Sequence, residues 1–282
     1  MITPEQFVGQ LVEDIAQNKL EVPTLPEVAL RVRKLIDDPN VNANQVAKVI
    51  STDAALSTRM MQVANSVMFT GMTQVDNVRA AVNRLGLAIV RNMVVAIATK
   101  ALYSPKLPTF AKARMQELWK HSTKVAALSH ALAKRYKHLR PDEAMLGGLI
   151  HDIGSLPIII RAAKYPELGQ DPAVLQKIID RLHGDIGRLI LQAWHLPDEL
   201  VAVAAEHEDL LRISLGAVDY VDVVMVANLH SYLGTKHHLA QVDWTNVPVF
   251  NKMALSPDES IRLFREAQAE INGVYDLLGG KA

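Results

Sequence analysis

Residues 87–102 read Leu-Ala-Ile-Val-Arg-Asn-Met-Val-Val-Ala-Ile-Ala-Thr-Lys-Ala-Leu, with Gly86 before them and Pro105 and Pro108 after. That punctuation marks one helix, and the composition makes it apolar on nearly every side. Such a helix cannot lie on a surface. It needs partners on both flanks, so Ile89, Val90, Met93, Val94 and Ile97 are expected at the centre of an N-terminal half that is tied to the rest of the chain.

The other segments fit the same period. Thr3 and Pro4 start a helix striped by Phe7, Leu11 and Ile15, and Val28, Val32, Leu35 and Ile36 follow the Pro23 and Pro26 break. Asn42 or Asn44 caps a third helix, Asp53 a fourth, and Asp76 a fifth that stops at Gly86. The proline-bearing stretch 104–108 is the expected seam. Beyond it lie helices through His121, up to His151, over 185–194, 197–207 and 220–232, and a C-terminal amphipathic segment that starts at Ser256-Pro257-Asp258-Glu259 and carries Ile261, Phe264 and Ile271. No stretch alternates with the period of a strand. The expectation is an all-α protein of two packed helical subdomains, residues 1–108 and 109–282.

With 282 residues and 49% hydrophobic content, the chain can bury a substantial core. Lys plus Arg equals Asp plus Glu at 30 each, so no global field draws it to nucleic acid or an acidic membrane. The two short helices meeting at residues 51–53 superficially fit a helix-turn-helix, but Lys48 and Arg59 are the only cations between residues 35 and 78, so no DNA partner is expected. Cysteine is absent, which excludes disulfides, thiolate metal ligands and a cysteine nucleophile. The N-terminus lacks the basic start and apolar run of a signal peptide, so a soluble, cytoplasmic protein is expected, with no membrane partner.

The chemistry concentrates at Gly147-Gly148-Leu149-Ile150-His151-Asp152-Ile153-Gly154-Ser155-Leu156-Pro157. An apolar helix delivers an adjacent His and Asp to its end, where Gly154 and Pro157 stop it. Successive helical residues point about 100° apart, so the two side chains can share one ion only across a groove completed by other helices. The bland alternative is a hydrogen-bonded pair closing a helix.

At these residues the chain resembles the HD superfamily, metal-dependent phosphohydrolases whose ligands are a His, an adjacent His-Asp and a later Asp from separate helices. By that resemblance His121, His151 and Asp152 hold the first three places, and Asn228 stands where the last Asp is expected. His183 and His207 fall where related HD phosphodiesterases place second-metal ligands, although two of ten histidines can fall there without that role. Within the HD group the chain resembles the HDOD (HD-related output) domain. The resemblance rests on Leu25-Pro26-Glu27, Ile50-Ser51-Thr52-Asp53-Ala54-Ala55-Leu56, Ala64-Asn65-Ser66, Ala80-Ala81-Val82-Asn83-Arg84-Leu85-Gly86, the His151 segment, His183-Gly184-Asp185-Ile186-Gly187 and Trp194-His195-Leu196-Pro197, and covers most of residues 20–235. It implies an HD-like C-terminal subdomain and a non-catalytic regulatory module of bacterial signalling, acting through a small ligand or a signalling partner.

Asn228 sets the expectation for cofactors. A carboxylate about 2 Å from a dication is worth on the order of 10 kcal/mol before desolvation, even at an effective dielectric of about 20. Replacing it by an amide leaves Asp152 as the one anionic ligand, and Asp222, six residues before Asn228, should face elsewhere on the helix. No resident metal is therefore expected, and the site reads as vestigial. The alternative is a metal-dependent phosphohydrolase acting on a nucleotide or cyclic dinucleotide. Asn65 and Ser66 read as caps, and His237-His238 as exposed loop.

Overall fold

Gly86 takes φ +76° between two helices, and that left-handed turn swings α5 (Val78–Leu85) away from the apolar helix that follows it. Before them in the chain come α1 (Pro4–Ala16), α2 (Glu27–Ile36), α3 (Ala43–Ile50) and α4 (Ala54–Ala64), and after them α6 (Leu87–Leu102). The second half contains α7 (Thr109–Ala133), α8 (Pro141–Ile150), α9 (Ser155–Ala162), α10 (Pro172–Ala193), α11 (Asp198–Glu206), α12 (Tyr220–Ser231), α13 (Pro248–Lys252), α14 (Pro257–Glu266) and α15 (Gln268–Leu277). The structure, a computed structural model, describes residues 2–17, 19–69, 73–104, 106–169 and 171–279. Among the described residues there is no strand.

Caps explain the starts. Thr3, Asn42 and Ser256 each close a capping box with Gln6, Gln45 and Glu259, and the Asp53 side chain accepts from the Leu56 N–H. Asp76 does not cap α5. Asn77 does, accepting from the Ala80 N–H, while Asp76 accepts from the Asn77 amide. The C-terminal amphipathic segment breaks at Ala267 into two helices, and residue 105 of the expected seam lies outside the described residues.

The α6 helix packs on α2, α4 and α5 on one side and on α8 on the other, with Val90, Met93 and Val94 fully buried and Ile89 and Ile97 half-buried. Asn92 from α6 donates to Asp142 of α8 at 2.7 Å. A second tie is Arg33 of α2, which is buried and donates to the carbonyls of Trp194 and His195 at 2.7 and 2.9 Å. Those carbonyls are exposed to it because His195, at φ +53°, turns the chain out of α10. Trp194 returns a bond from its indole N–H to the Pro23 carbonyl at 2.8 Å.

One element sits apart from the expected division. Although it comes first in the chain, α1 packs on α10, with Phe7 edge-on to Tyr165, Asp14 paired with Arg161, and Glu167 accepting from the Ile2 N–H. The proline-bearing stretch after α1 has no regular structure, which lets the chain cross from one half to the other. The stretch Pro141–Ala162 is long and apolar enough to span a membrane, but its most apolar window is 89% buried inside the protein, as a core segment is.

These ties predict one cooperative unit. Removing the guanidinium strands the buried Trp194 carbonyl and frees the part-buried His195 carbonyl, so Arg33→Ala should cost about 1–3 kcal/mol while the thermal melt stays a single transition. Two separated transitions in calorimetry of the unaltered protein would show independent halves.

Candidate metal centre

The helix α8 ends at His151, and residues 151–154 form the turn into α9. Two glycines let this turn sink between other helices. A methyl group at Gly148 would stand 2.8 Å from Cα of Ala126 on α7, and one at Gly154 would overlap the backbone of His183 and Gly187 on α10. The close approach seats Asp152, nearly buried, against its neighbour His151 and three histidines carried by three other pieces of chain.

Its two oxygens divide them. Oδ2 lies 3.4 Å from His121 Nε2 and 3.3 Å from His151 Nε2. Oδ1 lies 3.5 Å from His183 Nε2 and 3.3 Å from His207 Nε2. Within each pair the imidazole nitrogens face one another, at 3.1 Å for His121 and His151 and 3.4 Å for His183 and His207. The result is two three-residue groups, each spaced to hold an ion, with Asp152 common to both. Sequence reasoning put His183 and His207 in a secondary position; the structure brings them to the same carboxylate as His121 and His151.

The tautomers follow from the second ring nitrogens. Nδ1 of His151, His183 and His207 lies 2.8, 2.8 and 3.0 Å from the carbonyls of Gly148, Ile179 and Val203. A carbonyl can only accept, so each Nδ1 carries the proton. The Nδ1 of His121 lies 3.4 Å from Ser231 Oγ, whose own proton is committed to the Asn228 carbonyl at 2.6 Å, so this nitrogen is the donor too. In their neutral forms all four rings therefore aim a lone pair at a carboxylate. That arrangement repels itself unless a cation, whether proton or metal ion, lies among the donors.

Charge is distributed accordingly. Burial by itself would raise Asp152, but His151, His207 and His183 reverse this and hold its carboxyl well below the usual range. Burial pushes the His121 imidazole down to about 3 against the pull of Asp152, and it lowers His207 as well. For His183 burial is outweighed by Asp152 and by Glu208, whose Oε2 is 3.8 Å from Nε2, and its value is raised.

Asn228 is buried on α12, one turn before Ser231, and its side-chain oxygen has no hydrogen-bond partner among the described residues. An orphaned buried oxygen is costly, and on the face of α12 that meets His121 it is a neutral donor suited to a cation. Asp222 is engaged elsewhere, with Arg212 at 2.9 Å and Lys252 at 2.5 Å. Asn65 braces a loop rather than a ligand, bonding both the N–H and the carbonyl of Val75 at 2.8 Å.

A cavity of about 190 Å³ opens beside His121 and Asp152, walled by Arg114, Ser155, Gln176 and Tyr232. At the rim Arg114 donates to Gln176 and pairs at 3.3 Å with Glu117, which also lines the cavity. Tyr232 stacks on His121 with centroids 4.8 Å apart, and His237 stacks on Tyr232 at 3.6 Å. His237 is thus half-buried in the cavity wall, a correction to its reading as exposed loop; His238 alone is exposed. The aromatic residue five positions earlier, Tyr232, was the available signal. Arg114 and Gln176, on separate helices with no motif, had none.

The HDOD domain family matches residues 22–210. A Shewanella amazonensis protein of known structure, provisionally named a metal-dependent phosphohydrolase, is 28% identical, with a TM-score of 0.83 over 96% of this chain and 99% of that one. An HDOD domain protein of unknown function from Geobacter sulfurreducens shares the fold at 22% identity, with a TM-score of 0.71 over 98% of both chains. A provisionally named signal transduction protein from Marinobacter aquaeolei does so at 20% identity and a TM-score of 0.61, over 98% of this chain and 66% of that one. An uncharacterized protein of Treponema pallidum is 24% identical over 238 residues, and the match spans 78% of this chain but 44% of that protein.

Two outcomes follow from the geometry. His121 and His207 titrate lower in the folded than in the unfolded chain, as do Asp152 and His230, the last at about 3 through burial beside Lys124. The unfolded chain therefore binds more protons, so the stability from His121 and His230 is lost as pH falls from about 6.5 toward about 3, that from His207 is lost as pH falls below about 6.5, and that from Asp152 is lost below about 3.8. His183, raised, has the opposite sign and fades as pH rises through its folded value. Urea midpoints should drop steadily on acidification, with a shallower slope in His121→Gln. Separately, Gly154→Ala should cost about 1–3 kcal/mol and shift the His183 ring resonances in nuclear magnetic resonance spectra, because the added methyl pushes on its carbonyl.

Proposed function

The chain belongs to the HDOD family, and from that premise we propose a regulatory signal-transduction protein of the cytoplasm that acts by binding. Its His-Asp centre would hold a divalent metal ion, and the cavity beside it would receive a small anionic ligand whose occupancy is read by a signalling partner. The observation that carries this reading is the convergence of four Nε2 lone pairs, each fixed by an Nδ1 anchor, on the single carboxylate of Asp152. Three donors counted along the sequence argued against a resident ion. The structure leaves Asp152 the one anionic ligand but sets it between two three-residue groups, and the unpartnered Asn228 oxygen adds a further neutral donor; this support for an ion is what the reading rests on.

The ion would be held by His121, His151 and Asp152, or by Asp152, His183 and His207. When bound it would supply positive charge beside the cavity. The protein's own part is to orient: Arg114, held by Glu117, and Gln176 would present donors at the rim, and the Tyr232 ring shields His121. Asn228 in place of a carboxylate lowers the negative charge of the centre, which favours holding an anion over turning it over. The second reading is a phosphohydrolase; the specific observation in its favour is the single carboxylate shared by two ion-sized groups, the geometry of a two-metal clamp.

Elemental analysis after loading with manganese, iron or nickel, with phosphodiesterase and nucleotidase assays in parallel, separates the readings. The expected result is near-stoichiometric metal in the native protein, lost in Asp152→Ala, tighter in Asn228→Asp, and no phosphoester turnover. Turnover lost in Asp152→Ala would establish the hydrolase; metal-free protein under all loading conditions would overturn both.

A further inference from the structure

Away from the His-Asp centre, α4, α6 and α15 enclose a cavity of about 390 Å³, within the range of small-molecule sites. Its lining is divided by chemistry. Met68, Met93, Ile97 and Leu278 form an apolar wall, and Arg59 and Lys100 bring two cations to the same space. Lysine and arginine are normally solvated and kept apart. Here the Lys100 amine is held below its ordinary range by burial and by the nearby Arg59 guanidinium, and it lies 5.8 Å from the centroid of Trp119. Arg59 donates to Gln62 at 3.0 Å, which orients its guanidinium without neutralising it.

We propose that this cavity binds a small amphipathic monoanion, its head between Arg59 and Lys100 and its hydrocarbon body on the methionine and leucine wall. The charge count selects the head. Asp276 also lines the cavity, so among its described lining residues two cations and one carboxylate give one net positive charge, which balances a carboxylate but not a dianionic phosphate. The wall selects the body: methionine side chains adapt to flexible apolar ligands, and no aromatic ring lines the cavity among the described residues to stack a nucleobase. A medium-chain carboxylate satisfies both.

The site lies between the N-terminal bundle and the C-terminal helix, so occupancy would link α15 to α4 and α6 directly. Lys100 also touches α7, because Trp119 stands two residues before His121 on that helix.

Decanoate, decyl phosphate, decanol and inorganic phosphate titrated into the full-length protein by calorimetry test the proposal. Decanoate should bind saturably at one site, with decanol weaker by about tenfold or more, since a charge-assisted hydrogen bond is worth at least that factor. Inorganic phosphate, which lacks the chain, and dianionic decyl phosphate, with one charge unbalanced, should each bind more weakly than decanoate too. The Arg59→Gln/Lys100→Gln protein should lose decanoate affinity by a similar factor, and Lys100→Arg should retain it. Decanol binding as tightly as decanoate, unchanged affinity in the double variant, or no saturable decanoate binding would overturn the assignment. The comparison of decanoate with decanol needs no variant, so a folding defect in the double variant leaves the test intact.

Discussion

A carboxylate taken out of water must be compensated, and in this protein the compensation of Asp152 sets the arrangement of the second half. Four imidazoles from α7, the end of α8, α10 and the end of α11 reach it within 3.3 to 3.5 Å. Each ring is fixed at its far nitrogen by a carbonyl or, for His121, by a hydroxyl, so the rings cannot rotate to relieve the crowding. The backbone is shaped to the same end, since only glycine at 148 and 154 lets the turn carrying Asp152 approach α7 and α10 closely enough. Packing and electrostatics therefore reinforce one another: the core holds the donors, and the donors impose contacts that the core must accommodate.

Much of this was legible in the sequence for a physical reason. Helix existence follows from apolar period and caps, both local, and the capping residues Thr3, Asn42, Asp53 and Ser256 perform as their chemistry requires. The neighbouring Asp76 and Asn77 show the limit, because two adjacent residues both suited to capping are separated only by the backbone angle each adopts. The His-Asp pair was legible because it is contiguous. His183 and His207 were visible as positions but not as partners, since nothing local states that a glycine turn will lie against the backbone of α10. Arg114 and Gln176 carry no local signal at all, and His237 only the nearby Tyr232; they become part of the site because three helices and a loop meet there.

The division of the chain shows the same distinction between local and tertiary information. A proline-bearing stretch at 104–108 separates two runs of helices in the sequence. Yet α1 crosses to the far half, where Phe7 and Asp14 find Tyr165 and Arg161, and α15 packs on α7 while closing a cavity against α4 and α6. The two ends of the chain thus bind across the seam that its middle defines. Arg33 and Asn92 complete the joint with buried polar bonds, which are directional and so fix the relative setting of the halves more narrowly than apolar contact alone.

That joint bears on how a binding event could become a signal. The centre at Asp152 is built from helices of the second half, but α8, which ends in it, is clamped along its length by α6 of the first. The Asn92 bond to Asp142 is at the opposite end of α8 from His151, so a change in how firmly the centre holds α8 in place acts on a helix shared with the N-terminal bundle. A ligand that binds only one setting of that helix would bias both halves together, and its effect is bounded by its difference in affinity for the two settings. Charge at the centre is the natural handle: four imidazoles face the one carboxylate of Asp152, so a change of charge there, by proton or ion, would act directly on the turn at 151–154.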